Sequence, residues 1–276
     1  MDEEPLAGGL ANAGAVVRRG GVVERPAPPH AAALHDFLAG LRAGGFPGAP
    51  VAAGAVEGGR ERLEFLPGAV AVPPYPAWAL GGDALVSVAR LLRRWHEASA
   101  RTPFDRKASW PGEFADPEGG PLLCHNDVCL ENVVFRTGPT GGVGATGGAG
   151  EAVALIDFDF AAPGRPLWDV ALTVRYWTPV LDPATAAETA RAHLEVPARL
   201  ALFADAYGLS PADRLALPTV LEQATAVCRN FVARRVAAGD AVFTAYFDGY
   251  GGWSRWDRLQ SWLAEQRPLL ERALRA

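Results

Sequence analysis

Two blocks of the chain carry side chains that chemistry can use. In Cys124-His125-Asn126-Asp127-Val128-Cys129-Leu130-Glu131-Asn132-Val133-Val134-Phe135, Asp127 follows His125 by two residues and precedes Asn132 by five. In Ala154-Leu155-Ile156-Asp157-Phe158-Asp159-Phe160, Asp157 comes directly after an apolar run. Both blocks set polar, metal-capable groups against short apolar stretches of the kind that form buried strands. Phosphoryl transfer needs such a set. Charge develops on oxygens that magnesium and hydrogen-bond donors must hold, and one carboxylate must take the proton of the attacking hydroxyl. Taken singly, Asp127 reads equally as a turn residue and Asp157 as a cap or salt-bridge partner. Their order and spacing on two apolar strands favour the chemical reading. His125 reads as a holder of the loop backbone and not as a base.

The pattern His-x-Asp-x-x-x-x-Asn followed by Ile-Asp-Phe-Asp resembles the aminoglycoside phosphotransferase and choline-kinase-like family, a branch of the protein-kinase-like fold. The resemblance runs from about residue 8 onward. It implies a two-lobed α+β fold: a small antiparallel sheet with one helix over residues 1–66, and a larger, mostly helical lobe over 67–276. It also implies transfer of the γ-phosphoryl group of ATP, with GTP as an option, to a hydroxyl of a small molecule such as an aminoglycoside-like antibiotic, an amino alcohol or a sugar. In that family Asp127 would be the catalytic base, with Asn132 and Asp157 on magnesium. Asp159 would either help bind metal or anchor the following loop. Gly8, Gly9 and Asn12, in the Gly8–Gly14 stretch, would cover the nucleotide phosphates, because glycines let backbone N–H groups approach. A plain Gly-rich arm would look the same.

Two features depart from the family. Kinase-like folds hold phosphate with a strand Lys, but the only lysine here is Lys107 and Arg25 stands at the strand position. Arg is a planar fork and not an equivalent of Lys. The helix that should supply an acid to this cation contains only Asp36, which is short, so the cation–acid pair is in doubt. These departures favour a second expectation, a non-catalytic ligand-binding or immunity protein of the same fold. The intact Asp127, Asn132 and Asp157 set disfavours it. A regulatory kinase acting on a protein ranks last.

The surrounding elements follow from pattern. Ala15–Arg18 and Val22–Arg25 are expected as strands joined by Gly20-Gly21, a good hairpin turn. A helix is expected from His30 to Ala43, with Leu34, Phe37, Leu38 and Leu41 on one face. Val51–Val56 and Arg60–Phe65 read as a second hairpin. Glu64, Phe65 and Leu66 then form the connection that would lie near the adenine. Asp83 is expected to cap a helix running to about Ala100, with His96 as a packing or surface residue. Residues 102–120 read as a loop, Thr137–Gly150 as a flexible hairpin extension, and Asp169 as a brace. Helices are expected over 184–207, 211–238, 240–250 and 255–275, the second capped by Ser210 and the last by Ser254 with Asp257. Tyr176, Trp177, Asp182, Tyr246, Asp248, Tyr250, Trp253 and Trp256 could form an aromatic and acidic acceptor pocket, which would suit a cationic alcohol.

Composition bounds the rest. The chain has 276 residues, 49% of them apolar, enough for one large domain or two lobes. It has no apolar run of about eighteen residues, the length a membrane helix needs, and Met1-Asp2-Glu3-Glu4 lacks the layout of a secretory signal. Cys124, Cys129 and Cys228 form no disulfide framework. The net charge of −5 does not suit nucleic acid. A cytoplasmic monomer or homodimer, with a small-molecule partner and neither membrane nor nucleic acid, is the expectation.

Overall fold

The computed structural model describes residues 3–6, 14–137 and 150–275. It is a two-lobed α+β fold. The first lobe is a four-stranded antiparallel sheet of β1 (Glu3–Pro5), β2 (Val17–Arg19), β3 (Val22–Pro26) and β4 (Arg60–Glu64), paired in chain order. The β2–β3 turn is the expected Gly20-Gly21, with Arg19 opposite Val22 and Gly20 at φ 62°, a conformation glycine adopts without Cβ strain. Helix α1 (Ala31–Ala43) buries Leu34, Phe37, Leu38 and Leu41.

The second lobe carries the two polar sequence blocks, around Asp127 and Asp157, between helices. Its helices are α2 (Ala77–Leu80), α3 (Gly82–Ser99), α4 (Pro166–Trp177), α5 (Pro183–Glu188), α6 (Val196–Tyr207), α7 (Pro211–Ala237), α8 (Ala241–Gly249) and α9 (Gly252–Arg275). Strand β5 (Leu122–Cys124) pairs antiparallel with β8 (Ala162–Gly164), and β6 (Val133–Phe135) with β7 (Ala152–Leu155). Helix α3 holds both pairs. Ser99 Oγ bonds the carbonyl and amide of Leu123 (3.0 Å each), and Ser87 Oγ accepts the Ala152 amide (2.8 Å). These hydroxyls satisfy strand groups that burial would otherwise leave costly. Trp95 of α3, fully buried, packs against Phe158 at 5.1 Å and His125 at 6.5 Å, so the core reaches the underside of both blocks.

Several expected elements differ. Val51–Val56 is no full strand; only Ala52 bridges to Leu63, and Gly54 at φ 144° breaks the run. The 184–207 helix is two helices, because Ala190 turns into the left-handed region at φ 55°. Asp83 lies inside the first turn of α3, whose N-cap is Gly81. Ser254 lies within α9, which begins at Gly252, so it caps nothing. Ser210 does cap α7, accepting the Asp213 amide. No described helix is long and apolar enough to cross a membrane.

The approach to the Asp127 block is fixed by backbone contact. A Cβ placed on Gly120 would lie 2.0 Å from the Gly164 carbonyl carbon, against backbone that cannot move aside cheaply, whereas a Cβ on Gly112 would meet nothing. Gly120→Ala is expected to cost about 3 kcal/mol or more, at the upper end of overpacking penalties. Gly112→Ala should stay within about 0.5 kcal/mol of wild type, as for ordinary surface changes. Paired denaturant titrations check the contrast.

Candidate functional site

The loop after β5 is built around one carboxylate. Asp169, in the first turn of α4 and fully buried, accepts the amides of His125 (2.8 Å) and Asn126 (2.9 Å) and lies 3.1 Å from His96 Nε2. His96 Nδ1 in turn meets the Tyr207 hydroxyl at 2.7 Å. Burial would raise the Asp169 pKa. The bond and charge of His96, with the amide of His125, hold it below the usual carboxylate value. His96 is therefore neither mere packing nor surface, but the outer half of the brace. Cys124 Sγ also lies within 4.8 Å of the ligand atoms of His96 and Asp169. Asp169 is already committed to three donors, and burial holds the Cys124 thiol protonated, so this trio reads as a structural network.

The loop is tied to the second block through one residue, Ile156. His125 Nε2 donates to the Ile156 carbonyl at 3.0 Å, and the Ile156 amide donates to the Asn132 carbonyl at 3.0 Å. His125 Nδ1 then accepts the Asp127 amide at 3.2 Å. Burial keeps the His125 ring neutral, its pKa lowered against the pull of Asp169. Asn126 and Asp157 both adopt positive φ, 66° and 65°. Asn and Asp tolerate that region better than most residues, and at Asp157 it turns the chain as it leaves β7.

Asp127 receives the Tyr176 hydroxyl at Oδ1 (3.0 Å) and Asn132 Nδ2 at Oδ2 (3.1 Å); Asn132 Nδ2 also bonds the Asp127 carbonyl at 2.9 Å. Burial and the facing charge of Asp157 push the Asp127 pKa up to about 7, with the Tyr176 bond and Arg175 working the other way. Arg175 reaches Cys228 Sγ at 2.8 Å.

Arg25 is the hub of the other side. On β3 it stands in register opposite Glu61 of β4, and its Nε donates to Glu61 Oε1 at 2.7 Å. Its Nη1 donates to Asp157 Oδ1 at 2.6 Å, and its Nη2 pairs with Asp159. Burial opposes the Arg25 charge, but Asp159, Asp157 and Glu61 hold its pKa above the ordinary arginine value. The missing helix acid is thus supplied from the sheet. Glu61, fully buried, also meets His35 of α1 at 2.6 Å, so α1 is coupled to Arg25 through Glu61, while Asp36 is exposed. The signal was in the strand pattern: in Arg-Glu-Arg-Leu-Glu the inward register belongs to Glu61 and Leu63.

Gly8, Gly9 and Asn12 lie outside the described residues. At the connection after β4, the Glu64 amide bonds Val51 (2.8 Å) and the Phe65 amide bonds Gly21 (2.8 Å). The Glu64 carboxylate takes Arg42, and Arg18 covers the Phe65 ring at 3.7 Å. The Leu66 amide makes no hydrogen bond with the described residues. The aromatic and acidic acceptor pocket is also revised. Trp177 is buried with its indole N–H on Val128, and Asp182 caps α5 and pairs with Arg258. Asp116 is taken by Arg165. Tyr176 does reach the site, and Tyr246, Tyr250 and Trp253 are exposed.

For a hard cation such as magnesium, oxygen donors are the fitting ligands. Asp157 and Asp159 offer carboxylates that converge on one guanidinium, and Asn132 has its amide nitrogen turned to Asp127, which leaves its carbonyl oxygen as the group to offer. The donor set fits the ion.

Residues 105–203 match the model of the phosphotransferase enzyme family known as APH. The trifolitoxin immunity protein of Rhizobium leguminosarum bv. trifolii is 33% identical over 211 residues, 72% of each chain. The chain belongs to the phosphotransferase enzyme family. Solved structures agree on the fold. A choline/ethanolamine kinase family protein from Mesorhizobium loti superposes with a TM-score of 0.62 at 18% identity, over 100% of this chain and 92% of that one. The aminoglycoside phosphotransferase APH(3'')-Id of Streptomyces rimosus, solved with ADP and streptomycin, gives 0.50 at 18% identity over 77% and 90%.

Asp169→Ala removes the acceptor of two buried amides and the partner of His96. It is expected to cost roughly 3–5 kcal/mol, as for breaking a buried charged pair. Urea unfolding of the variant against wild type measures this.

Proposed function

We propose that this phosphotransferase family member moves the γ-phosphoryl group of ATP to a hydroxyl of a small molecule. The observation that carries the reading is Asp127. A half-buried carboxylate held near neutral pKa, oriented by Tyr176 and Asn132 and facing Asp157, is suited to accept a proton at working pH. The proton of the acceptor hydroxyl passes to Asp127, its oxygen bonds to the γ-phosphorus, and the bond from that phosphorus to the bridging oxygen breaks to release ADP. Asn132, Asp157 and Asp159 would hold magnesium, which neutralises charge on the phosphate oxygens. Arg25, released from part of its network, would turn its free N–H groups to the phosphates. Gly8, Gly9 and Asn12 would cover them, and Leu66 would meet the base, between a small lobe ending near residue 66 and a larger one. The ADP and streptomycin bound by the Streptomyces rimosus neighbour support nucleotide and hydroxyl-acceptor use by this fold.

Kinship with a protein named for trifolitoxin immunity supports a second reading, in which the chain protects by holding its ligand without phosphorylating it. Arg25 locked onto Asp157 and Asp159 is compatible with it. Both readings place a ligand in the same cleft; turnover separates them.

Magnesium-ATP at a hundredfold its dissociation constant should stabilise wild type by about 2.7 kcal/mol, a rise in Tm of roughly 5–10 °C for a chain of this size. Asp157→Ala should lose that rise. Asp127→Asn should keep it and lower turnover about 10²- to 10⁴-fold, the usual contribution of a general base. A thermal shift with ATP but no turnover against any hydroxyl acceptor would favour the second reading; no shift with ATP or GTP would sink the first.

The pH dependence follows from the same group. Asp127 must be ionised to act, so kcat/KM should rise with pH along an acid limb near 7. The Tyr176 bond favours the ionised form, so Tyr176→Phe should move that limb to higher pH. For stability the sign is opposite. The folded chain holds the Asp127 proton from its ordinary pKa of 3.8 up to about 7, so stability falls as pH rises across that window. Asp127→Asn should therefore melt higher than wild type above pH 7, which calorimetry at pH 5 and pH 8 tests.

A further inference from the structure

Beside the Asp127 loop stands a pair of arginines that the phosphotransferase reading leaves without a task. Glu131 immediately precedes Asn132, in the single turn over 130–132, and accepts the Tyr75 hydroxyl at 2.8 Å. The Arg191 guanidinium lies 5.5 Å from the centre of the Tyr75 ring. From the other side, the Tyr246 and Tyr250 rings at the end of α8 pack at 4.4 Å, and Arg255 of α9 lies 5.0 Å from the Tyr250 centre. The two halves share one electrostatic environment. Burial lowers the Arg191 pKa, and the nearby Arg255 charge lowers it further against the pull of Tyr75 and Glu131. The charges of Arg255, Glu131 and Arg191 all reach Tyr246.

Neither arginine has a carboxylate partner among the described residues. Arg191 Nε reaches only Thr189 Oγ1, at 3.2 Å. By contrast Arg229 and Arg258, in the same helical region, are paired with Asp257 and Asp182. The backbone at Arg191 is fixed by the end of α5: Ala190 takes φ 55° and the Arg191 amide bonds the Ala186 carbonyl at 2.8 Å, the usual closure of a helix C-terminus. Aromatic faces ease a cation but supply no countercharge. Two partly buried cations that repel each other are costly until an anion joins them.

We infer that Arg191 and Arg255 form an anion subsite, and that the hydroxyl acceptor carries a carboxylate which these two side chains grip while its hydroxyl faces Asp127. This rests on the phosphotransferase reading. The guanidinium fork matches the carboxylate geometry, and charge fixes the class further. Two arginines against Glu131 leave a single positive charge, which a monoanion balances and a phosphate dianion exceeds. The tyrosine faces suit an acceptor with a flat or apolar body. The expected acceptor is thus a hydroxy acid, in place of the cationic alcohol that the aromatic and acidic residues suggest from sequence.

Isothermal titration with 4-(hydroxymethyl)benzoate, its amide and the corresponding phenylphosphonate tests this. The benzoate should bind wild type, and the amide should bind roughly 10- to 100-fold more weakly, as when charge-assisted hydrogen bonds are lost. In Arg191→Gln/Arg255→Gln the benzoate and amide should become equal. Equal binding to wild type, no binding of the benzoate, a preference retained in the double variant, or stronger binding of the phosphonate would each overturn the proposal. Should the double variant not fold, Arg255→Gln alone serves. Relief of repulsion should let it melt no lower than wild type, and it should lose most of the acid-over-amide preference; retention of that preference overturns the proposal. The thermal shift with magnesium-ATP, read on the same samples, reports the nucleotide site separately. Its absence in wild type counts against the phosphotransferase reading, while the acid–amide comparison decides the anion subsite.

Discussion

The Asp169 carboxylate is the group on which the geometry of the cleft depends. A buried charge must be paired and hydrogen-bonded to persist, and Asp169 meets that demand with groups that belong to the site. Its acceptors take the His125 and Asn126 amides, so the turn after β5 has one permitted path. His96, held by Tyr207, closes the shell from α3 and α6. From that fixed turn, His125 reaches the Ile156 carbonyl and Asn132 takes the Ile156 amide. The backbone entering Asp157 is positioned relative to Asp127 by two bonds on a single residue, Ile156. The core beneath, with Trp95 against His125 and Phe158, prevents the assembly from sinking.

What was legible in the sequence was local. His125, Asp127, Asn132 and Asp157 lie close together along the chain and at a spacing that loop chemistry requires, so their types and intervals carried the reading. The hairpin at Gly20-Gly21, the apolar face of α1 and the Ser210 cap follow the same logic, since each rests on neighbours a few residues apart. The partners of Arg25 are long-range. Glu61 reaches it across a strand pair and Asp157 across the cleft, and the register that brings them together is a tertiary fact. The expectation placed the missing acid on α1, although the inward phase of β4 already contained one. His96 was unreadable for a similar reason: its two partners are far along the chain, on α4 and α6.

The acceptor side shows how composition misleads. Tyr, Trp and Asp are abundant in the second half of the chain, yet Trp177 and Asp182 are consumed by packing and capping. Arg191 and Arg255 are left without carboxylate partners among the described residues, and arginine is too frequent throughout the chain for its type alone to mark them. Whether a charged side chain is free to meet a ligand depends on which carboxylates the fold has already spent on neighbours. Membership of the phosphotransferase enzyme family sets the reaction class to consider, and the arrangement around Asp127 supports a working base. The difference between an enzyme and a sequestering relative then rests on a few side chains within hydrogen-bond reach of one another.

Arg25 joins groups from both lobes. Glu61, Asp157 and Asp159 converge on one spot, and three carboxylates so close would repel one another and spread the two lobes apart. A single guanidinium, with its donors pointing in three directions, neutralises all of them from within the chain. A lysine ammonium, a compact charge on a flexible stem, could not address three partners of fixed geometry in the same way. The polypeptide therefore carries its own countercharge for the three carboxylates, and both sheet and loop are held in place by one side chain of the chain itself.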